Sequence, residues 1–330
     1  MSNSTYKYNP DLDFIKENIK GNLFLNGQFV FNKEIERVPY ERFWKWMLGR
    51  NPQLKQKKAD KWHPKVILDD TFIQDNQDKI VWLGHSSFYM QLCGVKILTD
   101  PIFYHVLPVR IRRRHELPCR ISTFKNIDLI LLSHGHRDHL DIPSLKQILK
   151  LNPDVKVFCP LGFVKMLQKL GFKEVQEAAW WQRYHFPDLQ IDFLPAKHWN
   201  RRHLLDFNKT LWGSFSIQYN NKKIYFAGDT AYSNHFKEIQ NHYNYFDIAL
   251  MPIGAYKPKF IMDWAHISPE EAVQASNDMN VKHFIPMHYG TFDLSDEPAS
   301  EPIQEIMKLK EKDNLKAILH SLNVGECYLV

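Results

Sequence analysis

Leu131-Leu132-Ser133-His134-Gly135-His136-Arg137-Asp138-His139 closes an apolar run that starts at Ile127, and it brings three imidazoles and a carboxylate within six residues. The aliphatic character of Ile127 to Leu132 predicts a strand buried on both faces, as in sheets covered by helices. The histidines then fall at its carboxyl end, where open α/β sheets hold their ligand sites, because loops there project side chains without disturbing the packed layers. His134 and His136 are close enough in sequence to meet on one ion. A catalytic zinc site takes three protein ligands and keeps one position open, so Asp138 and His139 are surplus to it and point to a second metal. A single histidine in a core is usually just hydrogen-bonded. His-x-His-x-Asp-His after a buried strand is a metal-binding pattern.

Outward from this motif the pattern recurs. Ile191 to Leu194 leads to His198, Lys223 to Ala227 leads to Gly228-Asp229-Thr230, and His283 to Met287 leads to His288. Phe246 to Ile253 reads as another buried strand. Asp141 and Pro143 start a helix over Ser144 to Lys150, Val155 to Phe158 reads as a strand, and Leu161 to Leu170 as a helix closed by Gly171. Ser268-Pro269-Glu270-Glu271 has capping-box spacing with Pro at the first helical position, and His266 lies just before it. Lys79 to Leu92 and Val95 to Thr99 flank Cys93-Gly94 as a β-hairpin, which places His85 inside a strand and gives it a structural reading. Asp100, before Pro101, suits a turn. The fold class is α/β.

From Met1 to about Gln77 no period-2 run is present, and the expectation is an N-terminal extension of helices and loops packed on a main domain, residues 78–330. Tyr40 to Leu48, with Phe43, Trp44, Trp46, Met47 and Leu48, is followed by Arg50, Lys55, Lys57, Lys58 and Lys61. It reads as an amphipathic helix packed on the main domain or as an aromatic and basic surface that touches lipid. Between Asp100 and Asp128 a long loop carries Arg110, Arg112, Arg113, Arg114 and Arg120. It is either a solvated basic loop or a phosphate contact, since arginine presents a planar fork of donors.

Composition narrows the classes. With 330 residues, 44% of them hydrophobic, the chain can bury a core of one large or two small domains. Cys93, Cys119, Cys159 and Cys327 are scattered without a Cys-x-x-Cys pair, which speaks against a disulfide framework or a thiolate zinc site and suits a reducing compartment. No run is long enough to span a bilayer, and Met1 to Asn22 lack an apolar signal core. The expectation is a cytoplasmic protein, soluble or peripheral at a membrane. The net charge of +6 is modest and argues against a nucleic-acid track.

The chain resembles the metallo-β-lactamase superfamily through His134-Gly135-His136-Arg137-Asp138-His139, His198, Asp229 and His288, and within it the N-acylphosphatidylethanolamine phospholipase D branch, which includes bacterial hydrolases. The narrower match is carried by Trp82-Leu83-Gly84-His85-Ser86, Thr99-Asp100-Pro101-Ile102-Phe103, Pro195-Ala196-Lys197-His198-Trp199, Leu211-Trp212-Gly213-Ser214, Phe226-Ala227-Gly228-Asp229-Thr230, Pro252-Ile253-Gly254-Ala255-Tyr256 and Met287-His288-Tyr289-Gly290-Thr291-Phe292. It covers roughly Ile80 to Pro302. Gly135 and Arg137 depart from it, the branch commonly having Asn and Tyr there, and the N-terminal extension has no clear counterpart.

The resemblance implies an αββα sandwich of two mixed sheets flanked by helices, with two Zn2+ between the sheets. One zinc would take His134, His136 and His198, the other Asp138, His139 and His288, and Asp229 would bridge them. A histidine rather than a glutamate at 136 is unlike the di-iron branch and favours zinc. Asp100 would hydrogen-bond a ligand histidine, and His266 resembles a histidine near the substrate phosphate, with a catalytic role beside Asp229. The implied activity is phospholipase D-like hydrolysis of a phosphodiester in N-acylphosphatidylethanolamine or a related glycerophospholipid by a metal-bridging hydroxide, with Arg112, Arg113 and Arg114 on the head group. A zinc-dependent lactonase or other ester hydrolase is the alternative. The partners expected are a phospholipid or other phosphodiester and a peripheral membrane contact, with no nucleic acid and with a homodimer left open.

Overall fold

Alternation decides how the central strand is buried. Leu129 and Leu131 face one apolar cluster while Ile130 and Leu132 face another, so successive side chains of one short strand serve two layers. The same division separates Ile80 and Trp82 from Val81 and Leu83 on the strand Lys79–Gly84. The computed structural model describes residues 4–32 and 38–330, without the Phe43 side chain; residues 1–3 and 33–37 of the expected N-terminal extension lie outside the described residues.

Two seven-stranded sheets form the sandwich. The first runs Cys327–Leu329, Lys79–Gly84, Ser87–Leu92, Val95–Thr99, Leu129–Leu131, Lys156–Pro160 and Val175–Ala178; the second runs Gln182–Tyr184, Gln190–Leu194, Ser214–Tyr219, Lys222–Phe226, Phe246–Pro252, Val281–Met287 and Ile318–Leu319. In each, three antiparallel pairings are followed by three parallel ones. The larger cluster fills the space between the sheets, joining Trp82, Phe88 and Leu131 to Phe193, Phe215 and Phe226. Outside the first sheet, Leu145, Ile148 and Leu167 come from the helices Ile142–Leu151 and Val164–Leu170. Outside the second, Phe236, Ala272 and Ile306 come from His235–Tyr243, Pro269–Asp278 and Glu301–Glu311. This is the αββα arrangement.

Local signals act as expected at several ends. The Asp141 carboxylate caps Ser144, Gly171 closes its helix in the left-handed conformation, and Ser268 with Glu271 forms a capping box. Two expectations are corrected. The run Lys79 to Leu92 is two strands, broken where Gly84 and His85 both take positive φ (99° and 56°), so His85 sits in a turn rather than inside a strand. The N-terminal region also contains sheet. Ser4–Lys7 pairs antiparallel with Asn22–Leu25, which pairs with Gln28–Phe29 around Asn26-Gly27, whose φ of 50° and 80° suit a tight hairpin. Strands this short leave no period to detect. Leu12 and Phe29 join the main core, and Asn22 accepts a hydrogen bond from Trp180 N–H at 2.9 Å. Among the described residues no helix is long and apolar enough to cross a membrane.

Candidate metal centre

Five strands end at one edge of the sandwich, and each delivers a polar side chain there: Asp100 after Val95–Thr99, the His134 to His139 motif after Leu129–Leu131, His198 after Gln190–Leu194, Asp229 after Lys222–Phe226 and His288 after Val281–Met287. His136 Nδ1 lies 2.9 Å from His134 Nε2 and 3.1 Å from His198 Nε2. Asp229 Oδ2 is 3.9 Å and 3.8 Å from the same atoms of His134 and His198. Nitrogens about 2.0–2.1 Å from a tetrahedral ion stand about 3.3 Å apart, so these donors have the spacing of a ligand set.

A second group adjoins it. Asp138 Oδ2 is 3.5 Å from His139 Nε2 and 3.7 Å from His288 Nε2. Asp229 turns Oδ2 to His139 at 3.2 Å and Oδ1 to His288 at 3.1 Å, so one carboxylate faces both groups. The donors of each group lie within 4.8 Å of one another. His136 Nε2, His139 Nε2, His288 Nε2 and Asp229 Oδ1 are buried without a hydrogen-bond partner. Buried polar atoms left in that state are costly, and a cation held by the Nε2 atoms of His139 and His288 and by Asp229 Oδ1 would satisfy those three. The residues present fit a pair of metal ions.

Neighbours fix the ring orientations. Asp100 Oδ2 is 2.8 Å from His139 Nδ1, and the same carboxylate accepts from Ser133 N–H at 2.7 Å and Ser133 Oγ at 2.5 Å. Ser133 Oγ is 2.9 Å from His134 Nδ1, and the Ala265 carbonyl 2.8 Å from His198 Nδ1. The far nitrogens of His139, His134 and His198 are thereby turned inward, which sets the tautomer a ligand needs.

The electrostatics divide the histidines. Burial holds His134 and His198 well below the ordinary histidine value and His136 at about 4, so all three are neutral and ready to ligate. Burial also opposes charge on His139 and His288, but the adjoining Asp229 carboxylate outweighs it, raising His139 strongly and His288 to about 9. Burial disfavours the ionised forms of Asp138 and Asp229 too, and their histidine neighbours override it and keep both low. The centre is built to hold positive charge.

His266 reaches the same place. Its Nδ1 is 3.9 Å from Asp229 Oδ2, its ring is 5.1 Å from His198, and burial lowers it to about 4. It also lines a groove of about 570 Å³ walled by Trp46, Trp199, Phe207, Ile261 and Trp264. The expected trio Arg112, Arg113 and Arg114 does not form one cationic surface. Arg112 is exposed. The Arg113 guanidinium is buried and donates to the Leu83 carbonyl and, at 2.9 Å, to that of Ile102, which corrects its reading as a head-group contact: both terminal nitrogens are turned to backbone and away from solvent. Arg114 lies 3.5 Å from Asp293 and shares a small cavity with His85 and His288. The helix Tyr40–Leu48 packs against Lys259–Met262, with Lys45 Nζ 4.8 Å from the Phe260 ring, while Trp44 and Trp46 stay about 40% exposed.

Residues outside the expected set complete the centre. His85 Nε2 is 3.1 Å from Asp138 Oδ2, so it does have a polar partner. Asn200 Oδ1 accepts from Gly135 N–H at 3.0 Å, and Arg202 donates to the carbonyls of Gly135 and Leu140 at 2.6 Å and 2.9 Å. Asn200 and Arg202 follow His198 closely, which is the one signal sequence offers for them.

Residues 95–289 match the family model described as a β-lactamase superfamily domain. The N-acyl-phosphatidylethanolamine-hydrolyzing phospholipase D 1 of Caenorhabditis elegans is 32% identical over 266 residues, 76% of this chain and 75% of that protein. The mitochondrial N-acyl-phosphatidylethanolamine-hydrolyzing phospholipase D of Saccharomyces cerevisiae is 33% identical over 259 residues, 75% of this chain and 55% of that protein. Among solved structures, Igni18, a metallo hydrolase from Ignicoccus hospitalis, superposes with a TM-score of 0.60 at 22% identity, covering 76% of this chain and 97% of its own, a likeness of fold.

Proposed function

The chain belongs to the metallo-β-lactamase superfamily, and from that premise we propose that it is a two-zinc hydrolase of phosphodiester bonds, phospholipase D-like, acting on an N-acylphosphatidylethanolamine or related glycerophospholipid. The observation that carries this reading is the junction of two donor groups, both faced by Asp229, with an apolar groove lined by His266. The two relatives named as phospholipases D support the substrate class.

His134, His136 and His198 would hold one ion and Asp138, His139 and His288 the other, with Asp229 between them. Such a pair activates a water at neutral pH and offsets charge on the entering and leaving oxygens of a displacement. Asp229, turned to both groups, is placed to accept a proton and to keep the two positions in register. Burial keeps His266 neutral, which suits a hydrogen-bond donor to a phosphoryl oxygen better than a source of protons at neutral pH. Trp199, stacked 5.7 Å from Phe207 and 5.6 Å from Trp264, offers a flat apolar wall for an acyl chain. Groove volumes of this size enclose most of a small ligand and exclude water from it. Exposed Leu48 and Leu205, close in sequence to the groove-lining Trp46 and Leu204, would rest on the lipid surface, with Arg201 and Arg112 available to head groups.

The test is lipid mass spectrometry after incubating purified protein with a mixed phospholipid extract. The reading expects a phosphatidic acid together with the released alcohol or N-acylethanolamine. Lactone opening without any phosphodiester cleavage would replace it with the ester-hydrolase alternative.

A further inference from the structure

Every imidazole whose outer nitrogen is partnered at this centre is oriented by a neighbour, and the Asp138 carboxylate at its rim is met by a further histidine, His85, whose ring lies within 4.8 Å of the donors of the second group. Of the three imidazoles around Asp138 Oδ2, His85 is the nearest, at 3.1 Å against 3.5 Å and 3.7 Å for His139 and His288. His85 is 1% exposed. Its backbone is fastened as firmly as its ring. Its N–H donates to Thr291 Oγ at 2.8 Å, and its carbonyl accepts from Trp82 Nε1 at 2.9 Å and from His288 N–H at 3.1 Å. The ring lies 4.1 Å from that of His288 and edge-on to Phe292 at 5.2 Å.

The turn that carries it is strained and packed. His85 and His288 both hold positive φ, 56° and 62°, conformations that cost a non-glycine residue about 1–3 kcal/mol and cluster at functional sites. A Cβ on Gly84 would come within 2.6 Å of Arg113 and 2.8 Å of His115, so the turn is wedged from behind. The buried Arg113 therefore braces the segment that presents His85.

We propose that His85 is a positioning residue for the second metal position. Its Nε2–H donates to Asp138 Oδ2 and fixes the rotation of that carboxylate, while its carbonyl fixes the backbone of His288. It acts as a donor and not as a further ligand, because His139, His288, Asp138 and Asp229 already face that position and one more would fill the place a reacting group needs. The inference rests on the two-metal reading.

The experiment is zinc binding to metal-free protein by chelator competition, on the unaltered chain, His85→Ala and His85→Gln, with the visible spectrum of each cobalt-loaded protein. Loss of such an outer partner weakens a metal by about 10–100-fold, so His85→Ala should lose that much at one site and little at the other. The glutamine amide sits where Nε2 does and can still donate; His85→Gln should recover most of the affinity and keep the cobalt spectrum. Unchanged affinity in His85→Ala would overturn the proposal. So would a glutamine variant that binds as weakly as the alanine one with an altered cobalt spectrum, since His85 would then be a ligand. Uptake of a single zinc by the unaltered chain would overturn the two-metal reading and this proposal with it, whereas two zincs bound equally by all three proteins would remove only the role of His85.

Discussion

Gly135 shows how one residue of the motif is paid back by another far along the chain. A Cβ at 135 would lie 2.8 Å from Asn200 and from Phe163, so the space is already taken by the amide that accepts Gly135 N–H. Where the resembling branch commonly carries Asn in the motif, this chain brings an asparagine in from position 200. Gly135→Asn should therefore destabilise by about 1–3 kcal/mol through overpacking, and adding Asn200→Gly should restore much of that, a coupling measured by urea denaturation of the single and double variants. Strict additivity would refute the exchange. That the seven ligand-type residues gather in one place was legible because the same residue types recur after apolar strands. His85, Asn200 and Arg202 were not: their partners lie 53, 65 and 67 residues away, and nothing local distinguishes a histidine or an asparagine that orients a ligand from one that does not.

At the scale of elements, continuous periodicity and end signals were readable, and short or bent segments were not. The helix Ile142–Leu151 has its Asp141 cap and its apolar face, whereas the N-terminal strands have two to four residues each and only the Asn26-Gly27 pair to announce them. Arg113 was misread because composition records charge and not direction. Arg113 is withdrawn from solvent, and burial lowers it to about 9. Hydrogen bonds to a charged group contribute about 1.5–3 kcal/mol each, so Arg113→Ala, which leaves two carbonyls without their donor, should cost about 3 kcal/mol or more. Arg112→Ala, at an exposed position, should stay within about 0.5 kcal/mol. Chemical denaturation of the two variants checks this, and equal losses would contradict the structural role of Arg113.

For the molecule as a whole, both sheets repeat one pairing pattern and both place their ligands at the same edge, which is why a motif read on one strand implied the architecture around it. What sequence could not convey is the surface around the opening. Leu48 and Leu205 are 80% and 85% exposed, and their sequence neighbours Trp46 and Leu204, more than 150 positions apart, line one groove. If the substrate lies in a bilayer, Leu48→Ser with Leu205→Ser should lower turnover on phospholipid vesicles while sparing a soluble diester such as bis-p-nitrophenyl phosphate; equal rates on vesicles for altered and unaltered protein would remove the membrane contact. Beneath all of this stands the proposed metal pair. Elemental analysis of the protein reconstituted with excess zinc and then freed of unbound ion measures it directly: the account predicts two zincs per chain, and a single firmly bound zinc would contradict it.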